Sequence, residues 1–121
     1  MPVAGFTGTR TGMSVRQALQ FREVIRWLRP GEFHHGGAVG ADMQAAAALE
    51  AMLNLVVWQS TIVVHPAGRQ PLMRNRAIVA ACDILIAAPE TDTEQLRSGT
   101  WATVRYARQA VKPVIMLSRG N

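Results

Sequence analysis

Leu96-Arg97-Ser98-Gly99-Thr100-Trp101, lying beyond the apolar run Ile84-Leu85-Ile86-Ala87-Ala88, is the stretch that decides the fold. Apolar residues in an unbroken run, without alternation, read as a strand buried on both faces. The Ser-Gly-Thr turn then opens an amphipathic segment ending near Ala110, so a strand empties into a helix start. Such a start offers free backbone N–H groups, the positive end of the helix dipole, and hydroxyls that both donate and accept. Ser98 suits the N-cap, and Gly99 lets a ligand approach the backbone. An ordinary N-cap would account for the serine alone, so the reading rests on what surrounds it.

Working outward, the same strand-to-helix unit recurs. Val3 to Phe6 reads as a first strand, followed by Thr7-Gly8-Thr9-Arg10-Thr11-Gly12 and a helix capped by Ser14. That helix runs to about Arg29, with Ala18, Phe21, Ile25 and Leu28 as its apolar face, and Pro30-Gly31 stops it. Glu32 to His35 is a second strand, emptying into Gly36-Gly37-Ala38-Val39-Gly40-Ala41-Asp42 and an Ala-rich helix to about Leu53. Thr61 to His65 is the third strand, after the interruption Trp58-Gln59-Ser60. Pro71 opens a helix to about Cys82, and Val114 to Leu117 closes the set as a fifth strand.

Alternating strands and helices with continuous apolar strands define an α/β fold, a Rossmann-like three-layer αβα sandwich. Right-handed crossovers predict a five-stranded parallel sheet of order 3-2-1-4-5. Ligands in such sheets bind beyond the strands' carboxyl ends, near the point where the order reverses. The loops leaving those ends carry Arg10, Arg69, Arg74, Arg76 and Arg97 and most of the glycines. The loops at the opposite end are short and ordinary. One rim is therefore the expected site.

The 121 residues form one expected domain, 1–121, long enough to bury a core without staples. Cys82 is the only cysteine, which excludes an internal disulfide framework and fits a reducing, cytoplasmic setting. No run approaches a membrane span and the start is not a signal peptide, so no membrane partner is expected. The net charge of +5 comes from 12 Arg and 1 Lys against 8 acids. Such a balance draws phosphates or nucleic acid, although a genome rich in Arg, Ala and Gly codons gives the same excess.

Gly36-Gly37-Ala38-Val39-Gly40 is not a dinucleotide fingerprint, because the G-x-G-x-x-G spacing after the first strand is missing. Gly36, Gly37 and Gly40 read instead as a tight turn whose N–H groups could cradle a phosphate or ribose, or as a purely structural turn. Asp42 either complements the helix dipole or accepts a ligand hydroxyl. In Arg74-Asn75-Arg76, one guanidinium at most points into the site, where it could hold phosphate bidentately. His34, His35 and His65 do not form a metal set: adjacent strand residues face opposite ways, and no carboxylate or thiol stands at ligand spacing. No metal and no cofactor are expected.

Four segments in order, Gly5-Phe6-Thr7-Gly8-Thr9-Arg10, His35 to Asp42, Arg74-Asn75-Arg76-Ala77-Ile78, and Arg97-Ser98-Gly99-Thr100-Trp101-Ala102-Thr103, resemble the SLOG superfamily. That group includes the DNA-processing DprA proteins and the LOG phosphoribohydrolases. The resemblance implies a Rossmann-like fold, a nucleotide or nucleotide-derived small molecule as partner, and frequent dimers. It places Arg74 where the LOG enzymes carry a functional arginine. Their catalytic glutamate position is Thr103 here, and a hydroxyl without a base does not replace a carboxylate in acid–base work. The resemblance also implies a longer connection from His65 to Arg74 than this chain has, so part of a lid or interface is expected to be missing.

Gly8, Thr9, Arg10, Gly36, Gly37, Gly40, Asp42, Arg74, Asn75, Arg76, Ser98, Gly99, Thr100 and Thr103 are thus the expected ligand- and phosphate-binding residues. The first reading is a nucleotide-binding module, such as a sensor. The alternatives are N-glycosidic cleavage of nucleoside monophosphates, which needs an acid from Asp42, Glu90, Asp92 or Glu94, and DprA-like single-stranded DNA binding. A homodimer is expected on the Ala-rich helix, with Leu49, Met52, Leu53 and Val56 at its face.

Overall fold

In the computed structural model, which describes residues 1–120, nine elements alternate along the chain. They are β1 (Val3–Gly8), α1 (Val15–Leu28), β2 (Glu32–His35), α2 (Ala41–Leu53), β3 (Thr61–Val64), α3 (Pro71–Ala81), β4 (Ile84–Ala88), α4 (Gly99–Gln109) and β5 (Val114–Met116). Only the last position of the expected 1–121 unit lies outside the described residues. The strands form one parallel sheet in the order β3-β2-β1-β4-β5, the expected one among the few that right-handed crossovers allow. β1 runs past its expected end because Thr7 and Gly8 pair with Ala87 and Ala88 of β4. β3 and β5 each stop one residue short.

Side chains alternate across the strands, so the sheet separates two cores. Ala4, Phe6, Phe33 and Ile86 pack against Phe21 and Ile25 of α1 and Ala45 and Leu49 of α2. Leu85 and Ala87 pack on the other face against Ile78 and Val79 of α3 and Trp101 and Val104 of α4. The α2 layer sits close because Gly8 has no side chain; a Cβ there would collide with the Ala41 methyl.

Two expectations about helix faces are corrected. On α1 the fully buried polar residue is Gln17, while Ala18 is half-buried. The Gln17 Oε1 accepts from the Ser14 N–H at 3.0 Å, completing a capping box, and its Nε2 donates to the Pro89 and Leu117 carbonyls at 2.8 and 3.2 Å. Those bonds satisfy a side chain that burial would otherwise penalise. On α2, Leu49 is fully buried in the chain's own core, so it is not a dimer face. The exposed apolar residues Leu55 and Val57 follow the helix instead. The Trp58 interruption is an anchored loop, its ring buried and its Nε1 donating to the Pro30 carbonyl at 2.9 Å. No helix of the described residues is long and apolar enough to cross a membrane.

Candidate functional site

A parallel sheet brings all strand-to-helix turns to one rim, and there a cavity of about 810 Å³ opens. Its walls come from the β1–α1 loop, from Ala38 and Asp42, from the first turns of α3, and from the segment entering α4. The size falls within the ordinary range of small-molecule sites.

The α4 end is the wall with free donors. Ser98 is the N-cap; its Oγ accepts from the Trp101 N–H at 3.2 Å, and its carbonyl accepts from Ala102 at 2.9 Å. The Gly99 and Thr100 N–H groups have no partner among the described residues, and the first turn holds no acid. Both residues line the cavity. A Cβ at Gly99 would meet nothing within 4 Å, so packing does not demand glycine there.

The β2–α2 turn is built differently. The Gly36 and Ala38 N–H groups donate to Asp42 Oδ2 at 3.0 and 3.3 Å, and Gly37 donates to His35 Nδ1 at 3.0 Å. Ala41 N–H donates to the Thr9 carbonyl at 3.0 Å. Gly40 has φ +92°, and a Cβ on it would strike the Arg10 carbonyl. Burial raises the Asp42 carboxyl above its usual range, against the pull of the Ala38 and Gly36 amides and the Arg74 charge. Gly36, Gly37 and Gly40 therefore hold the turn together, and Ala38 and Asp42 form the cavity wall.

Arg74 is also committed to the protein. Its Nε donates to Asn75 Oδ1 at 2.7 Å and its Nη1 to the Gly36 carbonyl at 2.9 Å. Arg76 points elsewhere, its guanidinium 4.6 Å from the Tyr106 ring centre. Thr103 is fully buried, donating to the Gly99 carbonyl at 2.9 Å, one turn beneath the cavity. Of the expected site residues, Gly8, Thr9, Arg10, Asp42, Arg74, Asn75, Ser98, Gly99 and Thr100 meet in one cavity; the three turn glycines, Arg76 and Thr103 do not line it.

Among the four acids near the rim, Asp42 and Glu90 line the cavity. Asp92 instead accepts from the Arg119 N–H at 2.7 Å, and Glu94 pairs with Arg105 at 2.8 Å. Trp101 is buried between α3 and α4 rather than in the cavity wall. His34 Nδ1 lies 2.8 Å from His65 Nε2, while His35 packs beside Phe33 on the other face of β2. Among the cavity residues that the expected set omits are Thr7, Leu72, Gln95 and Arg97. Thr7 had one signal, a polar residue ending an apolar strand; Leu72 had none.

This architecture defines the doubly wound, Rossmann-like α/β class, with its cavity where that class binds ligands. Solved structures of similar fold include those of DNA processing protein A. The protein from Streptococcus pneumoniae matches with a TM-score of 0.68 at 20% identity, over 96% of this chain and 50% of its own. DNA processing protein A from Helicobacter pylori, which binds single-stranded DNA, matches with a TM-score of 0.64 at 21% identity, over 95% of this chain and 65% of its own. The chain thus spans between half and two thirds of those proteins' length. No family model matches the chain, and no curated protein does.

Proposed function

We propose that the chain binds a nucleotide-type, phosphorylated ligand in the rim cavity. The observation that carries this reading is the pair of free amides at Gly99 and Thr100, opening onto the same cavity as the exposed Arg10 and Arg97. Amides at a helix start favour an anion, and guanidinium groups complete its charge. Arg74 braces the site through its Nε and Nη1, which serve Asn75 and the Gly36 carbonyl, and its Nη2 has no partner among the described residues and is left for the ligand's charge. Isothermal titration against a panel of nucleotides is the test. Binding below millimolar concentration, weakened in Arg97→Ala, is expected; a folded protein that binds none of them overturns the reading.

Single-stranded DNA is the second reading, favoured by the Helicobacter pylori neighbour and the rim arginines. It predicts an affinity for oligothymidine that falls steeply with salt. The aromatic support for strand binding is thin: Trp101 is buried and Tyr106 is covered by Arg76. Fluorescence anisotropy over a salt series decides it, and a salt-independent or absent signal removes it.

A further inference from the structure

β2 and β3 run side by side, with His34 opposite Val63 and His35 opposite Val64, so His65 stands just past β3 beside Gly36. Side chains alternate along β2, which puts Glu32 and His34 on the α3 face and Phe33 and His35 on the other. On the α3 face His34 is buried between two partners. Its Nε2 lies 2.8 Å from Glu32 Oε1, and its Nδ1 lies 2.8 Å from His65 Nε2. The two ring centres are 5.0 Å apart, so the imidazoles meet end to end and do not stack. Their facing nitrogens therefore bond each other, and no group of three metal ligands occurs among the described residues.

Counting protons along this line fixes its states. A carboxylate only accepts, so the proton between Glu32 and His34 sits on His34 Nε2, and the neutral ring has a bare Nδ1. The second bond then needs its proton on His65 Nε2, which leaves His65 Nδ1 bare. One added proton fits. On His65 Nδ1 it breaks neither bond, and its charge lies in line with the Glu32 carboxylate. A second proton does not fit. It puts N–H groups on both facing nitrogens, so the 2.8 Å bond becomes a contact between two donors and two like charges.

His65 is tied to the rim through its backbone as well. Its N–H donates to the His35 carbonyl at 2.7 Å, and its carbonyl accepts from Arg74 Nη1 at 3.4 Å; the same nitrogen donates to the Gly36 carbonyl at 2.9 Å. Arg74 lines the cavity, and His65 does not. We infer that Glu32, His34 and His65 are positioning residues for Arg74: the shared proton pins His65, and His65 with Gly36 sets where the guanidinium stands. What this does for a ligand rests on the nucleotide reading above; the pinning itself does not. The charges facing the line are Glu32 and, across the strand, His35 from β2, Arg74 from α3, and Glu50 from α2, which acts on His35; β1 and β3 carry none. Burial, with His34 and Arg74 adding to it, holds His65 below its ordinary 6.5, so protons enter only as the solution turns acid. Two of them release His65, and Arg74 loses one of its anchors.

Nitrogen-15 NMR of the full chain, without any ligand, tests it between pH 7.5 and 5.5 through the imidazole nitrogens, the Arg74 Nε–H and the His65 amide. At pH 7.5 His34 should carry its proton on Nε2. On acidification the protection of the His65 amide should fall about tenfold, and the Arg74 Nε–H signal should change over the same range. Glu32→Gln keeps an oxygen for His34 and removes the charge that attracts the protons, so it should move this transition to lower pH. His65→Asn should abolish the Arg74 transition, whereas His35→Gln, on the other face, should keep it. Should His65→Asn fail to fold, Glu32→Gln, at an exposed position, carries the test. An Arg74 signal that is flat in wild type, a transition that survives His65→Asn, or one that Glu32→Gln leaves in place overturns the inference. None of these measurements contains a nucleotide, so a failed titration of the cavity and a failed array are told apart.

Discussion

Two turns on the same rim, Gly36 to Asp42 before α2 and Ser98 to Thr100 before α4, have the same local design and opposite uses. Each takes the chain from a buried strand into a helix, and each contains glycine. In the first, the amides of Gly36, Gly37, Ala38 and Ala41 all donate within the protein. In the second, Gly99 and Thr100 donate to nothing among the described residues. Gly40 is required by its φ of +92° and by the Arg10 carbonyl pressed against it, whereas Gly99 has open space where a Cβ would stand. The richer glycine motif is thus the structural one. A glycine that packing does not require is the better marker of a ligand's approach.

The largest effect should come from breaking the first turn. Gly40→Ala puts a methyl into the Arg10 carbonyl and forces an alanine into left-handed backbone. The expected loss is roughly 3 kcal/mol, read by urea unfolding. Wild-type stability in that variant would mean the turn is not the rigid half of the pair.

Acid should loosen the same turn. His35 Nδ1 accepts the Gly37 N–H and must be unprotonated to do so. Burial lowers the His35 pKa from 6.5, helped by the neighbouring His65 and opposed by Glu50 on α2; burial also lowers His65, with His34 and Arg74 adding to it. The folded state therefore refuses protons that the unfolded chain binds near pH 6.5, so stability is complete above that pH and is lost as pH falls from there through the lower folded-state values. Asp42, raised by burial, carries the opposite sign at lower pH. Melting temperatures from pH 7.5 to 5.5 should fall in wild type and fall less in His35→Gln. A flat wild-type profile refutes the account.

The smallest change in stability belongs to the second turn. Gly99→Ala meets no atom and needs no special backbone, so it should leave the fold unchanged or stabilise it by about 0.4–1 kcal/mol. Its nucleotide affinity should fall, because the methyl stands at the cavity wall. A variant that is destabilised, or that binds as wild type does, erases the contrast between the turns.

Much of this was legible in the chain itself. The unbroken apolar run at Ile84–Ala88, caps at Ser14 and Ser98, and the Pro71 helix start are local signals acting over one or two turns. With crossover handedness they narrow the sheet to a few orders, and every parallel order of this kind gathers the strand-to-helix turns on one rim. Nine of the expected site residues meet there for that reason.

Tertiary structure alone decided which groups on the rim remain free. Whether an amide, a guanidinium or a hydroxyl is available depends on partners far along the chain: Gly36 for Arg74, Thr9 for Ala41, Pro89 and Leu117 for Gln17. Leu49 likewise has the spacing of a surface stripe and the position of a core residue. Periodicity records that a side chain is apolar or that a turn is tight, because those are properties of neighbours in sequence. Hydrogen-bond satisfaction is a property of neighbours in space, and it turned Arg74 into a brace while leaving the Gly99 and Thr100 amides open to the cavity.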